Sequence, residues 1–137
     1  MITTSAKSFK IAEDKNINIH YLKLRSVKSL SIPDNIGINE KGIENCRELN
    51  TCLAHELGHC STNSLYTLKS KFETKERQEH RADRWAIETL IPFDELVKLI
   101  KKGVTEFWEL SEYFEVSEDL IKKAYLLYED RLIELNI

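Results

Sequence analysis

Glycine and proline are scarce, at four and two of 137 residues. So few breaks leave no Pro/Gly-rich linker, and no repeat or low-complexity tract interrupts the chain. Long apolar runs are missing too, since none approaches the roughly 20 residues that a membrane span requires. The opening stretch, Met1 to Lys10, lacks an apolar core of the kind a secretory signal carries, so none is expected. Cysteine is limited to Cys46, Cys52 and Cys60. That odd number, in a chain long enough to bury its own core, points to reduced thiols in a cytoplasmic protein rather than to a disulfide framework.

What is present is an ordinary globular balance of 42% apolar and 31% charged residues. One domain over residues 1–137 is expected, with a sheet and the main site helices in about 1–92 and a C-terminal helical part in about 93–137. The net charge of −3 conceals an asymmetry. Residues 105–137 hold nine acids against three bases, a net of −6, which leaves +3 in residues 1–104. The acidic end should repel a phosphate backbone.

Residues 17–25 alternate in the manner of a half-buried strand, and a second short strand is expected near Leu30–Ile38, with the turn residues Pro33, Asp34 and Asn35 in or beside it. From about Glu44 to Cys60 the period is helical. At 100° per residue, Cys46, Leu49, Leu53, Leu57 and Cys60 fall within about 80° of one another and form a core-facing stripe. Further helices are expected at about Thr74–Leu90, stopped by Pro92, and at about Asp94–Lys102, closed by Gly103. Thr105 is expected to cap a helix reaching Phe114, and Ser117 to cap the last one.

The first of these helices carries His55-Glu56-Leu57-Gly58-His59. Histidines four apart share one side of a helix and can place two ring nitrogens on one divalent ion, with the intervening Glu56 as general base. Both lie about 120–160° from the centre of the apolar stripe. The next helix has one face made of positions 79, 82, 83, 86, 87 and 90. Four are apolar, Ala82, Ala86, Ile87 and Leu90, and two are Glu79 and Asp83. Carboxylates on an apolar face need a partner. Glu79 is therefore expected as the third ligand, and Asp83 as the acceptor for the outer N–H of a ligating histidine. Small Ala82 and Ala86 would let the helices lie close, and Gly58 would admit a neighbouring backbone or a substrate. Against this stands the plainer alternative of solvent-facing histidines, with Glu79 and Asp83 paired to Arg77, Arg81 or Arg84. Cys52, three residues before His55, is weighed as a fourth ligand, but a small buried thiol is the preferred reading.

These segments resemble the ImmA/IrrE family of zinc metallopeptidases. Its pattern of His-Glu-x-Gly-His, then Glu-x-Glu-Ala-Asn-x-Phe-Ala and Leu-Leu-x-Pro, is met by residues 55–59, by Glu79-His80-Arg81-Ala82-Asp83-Arg84-Trp85-Ala86 and by Leu90-Ile91-Pro92. Arg81 and Asp83 depart from the pattern, and Asp is the better acceptor for an imidazole N–H. The likeness extends loosely from Ile17 to Tyr128. It implies an α+β fold, with a small antiparallel or mixed sheet near the N-terminus packed on a mainly helical zincin-like core. It also implies that His55, His59 and Glu79 hold Zn²⁺ and that Glu56 is the base. Mn²⁺ and Fe²⁺ suit the same donors. The implied activity is endopeptidase cleavage of a cytoplasmic regulatory protein, a helix-turn-helix repressor of a prophage or mobile element. The alternative is a non-catalytic, zinc-containing anti-repressor that acts by binding its partner.

For an oxyanion-stabilising donor, His80, Tyr66 and Tyr125 all qualify on sequence. Residues 110–128 have the cadence of a helix-turn-helix, but the start of the second helix is Glu118-Asp119, so no direct nucleic-acid binding is expected. Nor is a membrane partner expected. His20 has a surface or core role as its default.

Overall fold

The computed structural model describes residues 7–67 and 69–137. Helix α1 (Lys7–Asp14) precedes strands β1 (Asn18–Tyr21), β2 (Ser29–Ile32) and β3 (Asn35–Ile38). Helices α2 (Cys46–Ser61), α3 (Phe72–Leu90), α4 (Phe93–Lys101), α5 (Phe107–Phe114) and α6 (Glu118–Glu134) follow. The architecture is α+β with a three-stranded mixed sheet in the order β1-β3-β2. β1 runs parallel to β3 and β2 antiparallel to it. The single strand expected near Leu30–Ile38 is a hairpin instead. Pro33 and Asp34 form a two-residue loop, and Asp34 takes up a left-handed φ of 61°, which aspartate tolerates better than most residues.

The helices largely obey their local signals. Asn45 caps α2, its side chain accepting from the Glu48 amide, and Ser117 caps α6 by accepting from Leu120. Gly103, at φ 91°, follows α4. Two expectations fail locally. Thr105 is not the cap of α5, because that helix starts one residue later, behind Glu106. Cys46, placed on the core stripe, is exposed because it opens the helix before α2 reaches the sheet. α1 was not anticipated at all. Among the described residues no helix is long and apolar enough to cross a membrane.

Two apolar clusters meet along α2. Leu49, Leu53 and Leu57 face the sheet and α1, packing with Ala12, Ile36, Ile38 and Ile43. The second cluster joins α3, α4, α5 and α6 around Leu96, Leu110, Val116 and Ile121, and Ala54 of α2 reaches into it. Buried Asn50 ties three elements together. Its Oδ1 accepts from the Ser8 amide at 3.3 Å and its Nδ2 donates to the Glu115 carbonyl at 2.8 Å. The Ser117 amide also donates to Thr51 Oγ1 at 2.9 Å, so the α5–α6 turn is docked onto α2.

Close approach of α2 and α3 is what the fold turns on. A Cβ at Gly58 would lie 2.5 Å from the Ala82 carbonyl oxygen and 2.9 Å from its Cα. Both obstacles are backbone, so they cannot move aside alone. Helix propensity by itself favours alanine over glycine by about 1 kcal/mol. Gly58→Ala is nevertheless expected to destabilise the protein by roughly 1–3 kcal/mol, because the two helices must separate. Thermal melting decides the sign, and a melting point above that of the wild type would contradict the close-contact argument.

Candidate metal centre

α2 presents His55 and His59 one turn apart, with ring centroids 4.8 Å from each other and planes nearly perpendicular at 87°. α3 lies against this side of α2, and its small Ala82 and Ala86 are fully buried in the contact. Glu79, one turn before Ala82 on the same face, is thereby carried to the imidazoles. Its Oε2 is 2.8 Å from His55 Nε2 and its Oε1 is 3.0 Å from His59 Nε2. The three side chains offer donor atoms that all lie within 4.8 Å of one another.

The outer ring nitrogens settle the orientation. His55 Nδ1 is 2.7 Å from Asp83 Oδ1, and His59 Nδ1 is 2.8 Å from the Ser64 carbonyl oxygen. Both partners are acceptors, so each Nδ1 carries the proton and donates. Each Nε2 then turns a lone pair toward an anionic carboxylate. Acceptors facing acceptors repel unless something positive lies between them. With protons as the only cations, burial pulls the His55 pKa down but hydrogen bonds to Asp83 and Glu79 outweigh it and lift it to about 10. The bonds from His55 and His59 hold the Glu79 carboxyl far below the usual carboxylate range. Two imidazole nitrogens and a carboxylate oxygen are equally the donor set of a divalent transition ion. The residues therefore fit a metal.

Asp83 stands beside the outer imidazole N–H of His55. Burial raises its pKa, but the His55 hydrogen bond and Lys123 more than offset this and leave the carboxyl ionised below its ordinary range. Lys123, from α6, donates to Asp83 Oδ2 at 3.1 Å and so links the last helix to the site. Cys52 stays outside the donor cluster. Burial is the main reason its thiol is pushed up to about 11, so it remains a protonated, half-buried neighbour.

Of the three hydroxyl or imidazole donors left open by sequence, only one reaches the cluster. Tyr66 donates to Glu79 Oε1 at 2.7 Å, and its ring stands 5.8 Å from that of His59. That bond to the Glu79 carboxylate, aided by burial, pushes the phenol up to about 12. His80 points out from α3 as an exposed residue. Tyr125 lies tilted against Phe107, 5.4 Å between centroids, at the helical core. His20 is exposed and bonds Asn35 Oδ1 at 3.0 Å.

Glu56 lies beside the cluster and is buried. Ser29 Oγ donates to its Oε2 at 2.6 Å and Ser31 Oγ to its Oε1 at 2.8 Å. Neither serine was singled out from sequence. The available signal was the alternation Ser29-Leu30-Ser31-Ile32, which puts two hydroxyls on one face of a strand. Glu56, the donor cluster, both serines and Tyr66 line one cleft of about 740 Å³, which also has Val27, Leu30, Ile32 and Leu65 in its walls.

Residues 12–125 match the peptidase family described as the IrrE N-terminal-like domain. The chain belongs to that family. Comparison with curated proteins and with solved structures gave no match. Membership in the IrrE N-terminal-like family brings with it a metallopeptidase-type function, and the His55–His59–Glu79 cluster is a group of side chains that could hold a metal ion.

The outer hydrogen bond to His55 gives a direct check of that assignment. Asp83→Ala should leave the fold intact and weaken metal binding by roughly 10–100-fold, the usual cost of losing an outer partner of a ligating histidine. Competition with a chromophoric chelator measures this, and an unchanged affinity would remove Asp83 from the site.

Proposed function

We propose that the protein is a zinc-dependent endopeptidase that cleaves a cytoplasmic regulatory protein, a helix-turn-helix repressor of a prophage or mobile element. The observation that carries the catalytic part is the position of Glu56. A buried carboxylate in the same cleft as two imidazoles and a third acidic donor is what a hydrolytic site needs, and a purely structural ion has no use for it. This favours the enzyme over a non-catalytic anti-repressor. Zinc is the ion proposed for the nitrogen-rich donor set, though manganese and iron suit it chemically.

When bound, the ion supplies a Lewis acid that polarises the scissile carbonyl and brings the pKa of water toward about 7. The chain's own groups do the rest. His55 and His59 are held in one tautomer by Asp83 and the Ser64 carbonyl. Glu56 accepts a proton from the attacking water and passes it to the departing amine. Tyr66, whose hydroxyl already reaches the cluster, donates to the oxygen on which negative charge develops. β2 lies at the edge of the sheet and borders the cleft, so an extended peptide can pair with it as an added strand. The repressor reading is supported by the family resemblance. The −6 charge of residues 105–137 also suits a partner with a basic, DNA-binding surface.

Incubation with the repressor encoded beside the gene tests the proposal. Wild-type protein should yield fragments, and chelation should stop the cleavage. Glu56→Gln should keep the metal yet lose at least about 10²–10⁴ in rate, as expected for removal of a general base. A Gln variant that cuts as fast as wild type refutes the mechanism, whereas a stable complex without fragments would point to the anti-repressor. Tyr66→Phe should lower kcat by roughly 10²–10³ with metal content unchanged, the usual cost of one oxyanion donor. A change confined to metal content would make Tyr66 a support for Glu79 only.

A further inference from the structure

β2 is built the wrong way round for a strand on a helical core. Its apolar residues Leu30 and Ile32 are 37% and 56% exposed, while Ser29 and Ser31 turn inward. Placing leucine and isoleucine outward forgoes burial that an ordinary amphipathic strand would take. Both inward hydroxyls reach the carboxylate of Glu56, which is only 5% exposed, and Ser29 also meets the Cys52 thiol.

We infer that Ser29 and Ser31 are positioning residues that lock the Glu56 carboxylate in its working orientation. The inference rests on the reading of Glu56 as the general base. Each hydroxyl takes a different oxygen, at 2.6 and 2.8 Å. A carboxylate held at one oxygen can swing about that bond, but held at both it cannot turn about its own Cγ–Cδ axis. The donors come from another element, so the restraint is tertiary and does not depend on the rotamer preferences of α2.

The chemistry of the donors matters as much as their number. A lysine or arginine would fix the carboxylate equally well but would draw off its negative charge and blunt its basicity. Neutral hydroxyls hold it without setting a full positive charge beside it. A carboxylate has about four acceptor sites, so two hydroxyls leave room for the proton that a base must take. The strand that clamps the base is also the sheet edge along the cleft. A peptide paired with β2 would be registered by the same strand whose Ser29 and Ser31 hold Glu56, which ties the scissile bond and the base to one frame.

Two double variants, metal-loaded and assayed for repressor cleavage beside wild type, test this. Ser29→Ala/Ser31→Ala should lower kcat by roughly 10–100-fold while KM stays within about twofold, the pattern of an interaction that matters for geometry in the transition state. Chelator competition should show unchanged metal affinity, and its crystal structure should show the Glu56 carboxylate in a different rotamer. Ser29→Thr/Ser31→Thr keeps both hydroxyls on residues that suit a strand and should restore cleavage. Wild-type kcat in the alanine variant overturns the inference. So does a loss that merely follows metal affinity or folded fraction, or a threonine variant as poor as the alanine one. If wild type itself cuts nothing, the peptidase reading fails separately, and the crystal structures alone decide the clamp: an unmoved Glu56 in the alanine variant overturns it.

Discussion

Everything at this site depends on how closely two helices can lie. The two imidazoles come from α2 and the carboxylate from α3, so the helix separation decides whether the three donors meet. Gly58 and Ala82 set that separation by leaving nothing between the backbones. A glycine inside a helix costs about 1 kcal/mol relative to alanine. That cost is offset by contact between α2 and α3, whose buried residues Ala82, Ala86, Ile87 and Leu90 form a continuous small-to-large face. The geometry of the donor cluster is thus a packing consequence before it is an electrostatic one.

The electrostatics then act on what packing has assembled. Two imidazole nitrogens and a carboxylate are brought face to face, and the outer nitrogen of each imidazole is tied to the protein. Such an arrangement is stable only around positive charge. Protons can supply it in part, as the elevated His55 and depressed Glu79 pKa values show. A divalent ion satisfies all three at once. The same logic separates Glu79 from Glu56. Both are carboxylates in one cleft, but Glu79 is met by imidazoles and a phenol, whereas Glu56 is met by two aliphatic hydroxyls. The first environment suits a ligand, and the second holds a carboxylate by both oxygens without a cation.

Much of this was legible in the sequence, for specific reasons. Helical period fixes relative azimuth, so His55 and His59 on one side of α2, and Glu79 with Asp83 on the buried face of α3, follow from spacing alone. Gly58 and Ala82 announced close packing by their size. The α+β class and most helix boundaries followed from caps and breakers. What escaped was long-range. The inward serines of β2 are recognisable only once the sheet is placed against α2, because serine on a strand ordinarily faces water. Tyr66, His80 and Tyr125 could not be ranked, since the loop that delivers Tyr66 has no period to read. α1 was missed because its eight residues carry only a short amphipathic pattern. The hairpin was merged into one strand because the Pro33-Asp34 loop is only two residues long.

The C-terminal helices are bound into the site rather than appended to it. Lys123 of α6 reaches Asp83, which holds His55, and the α5–α6 turn is hydrogen-bonded to Asn50 and Thr51, four to five residues before His55 on the same helix. This docking bears on the helix-turn-helix cadence of residues 110–128. In a DNA reader the N-terminal end of the second helix enters the major groove. Here that end belongs to α6, where the Ser117 amide is committed to Thr51 and the first turn carries Glu118 and Asp119. A groove would meet two carboxylates on a turn already tied to α2. α5 and α6 help close the helical core with α3 and α4, and through Lys123 α6 holds Asp83, which in turn holds His55.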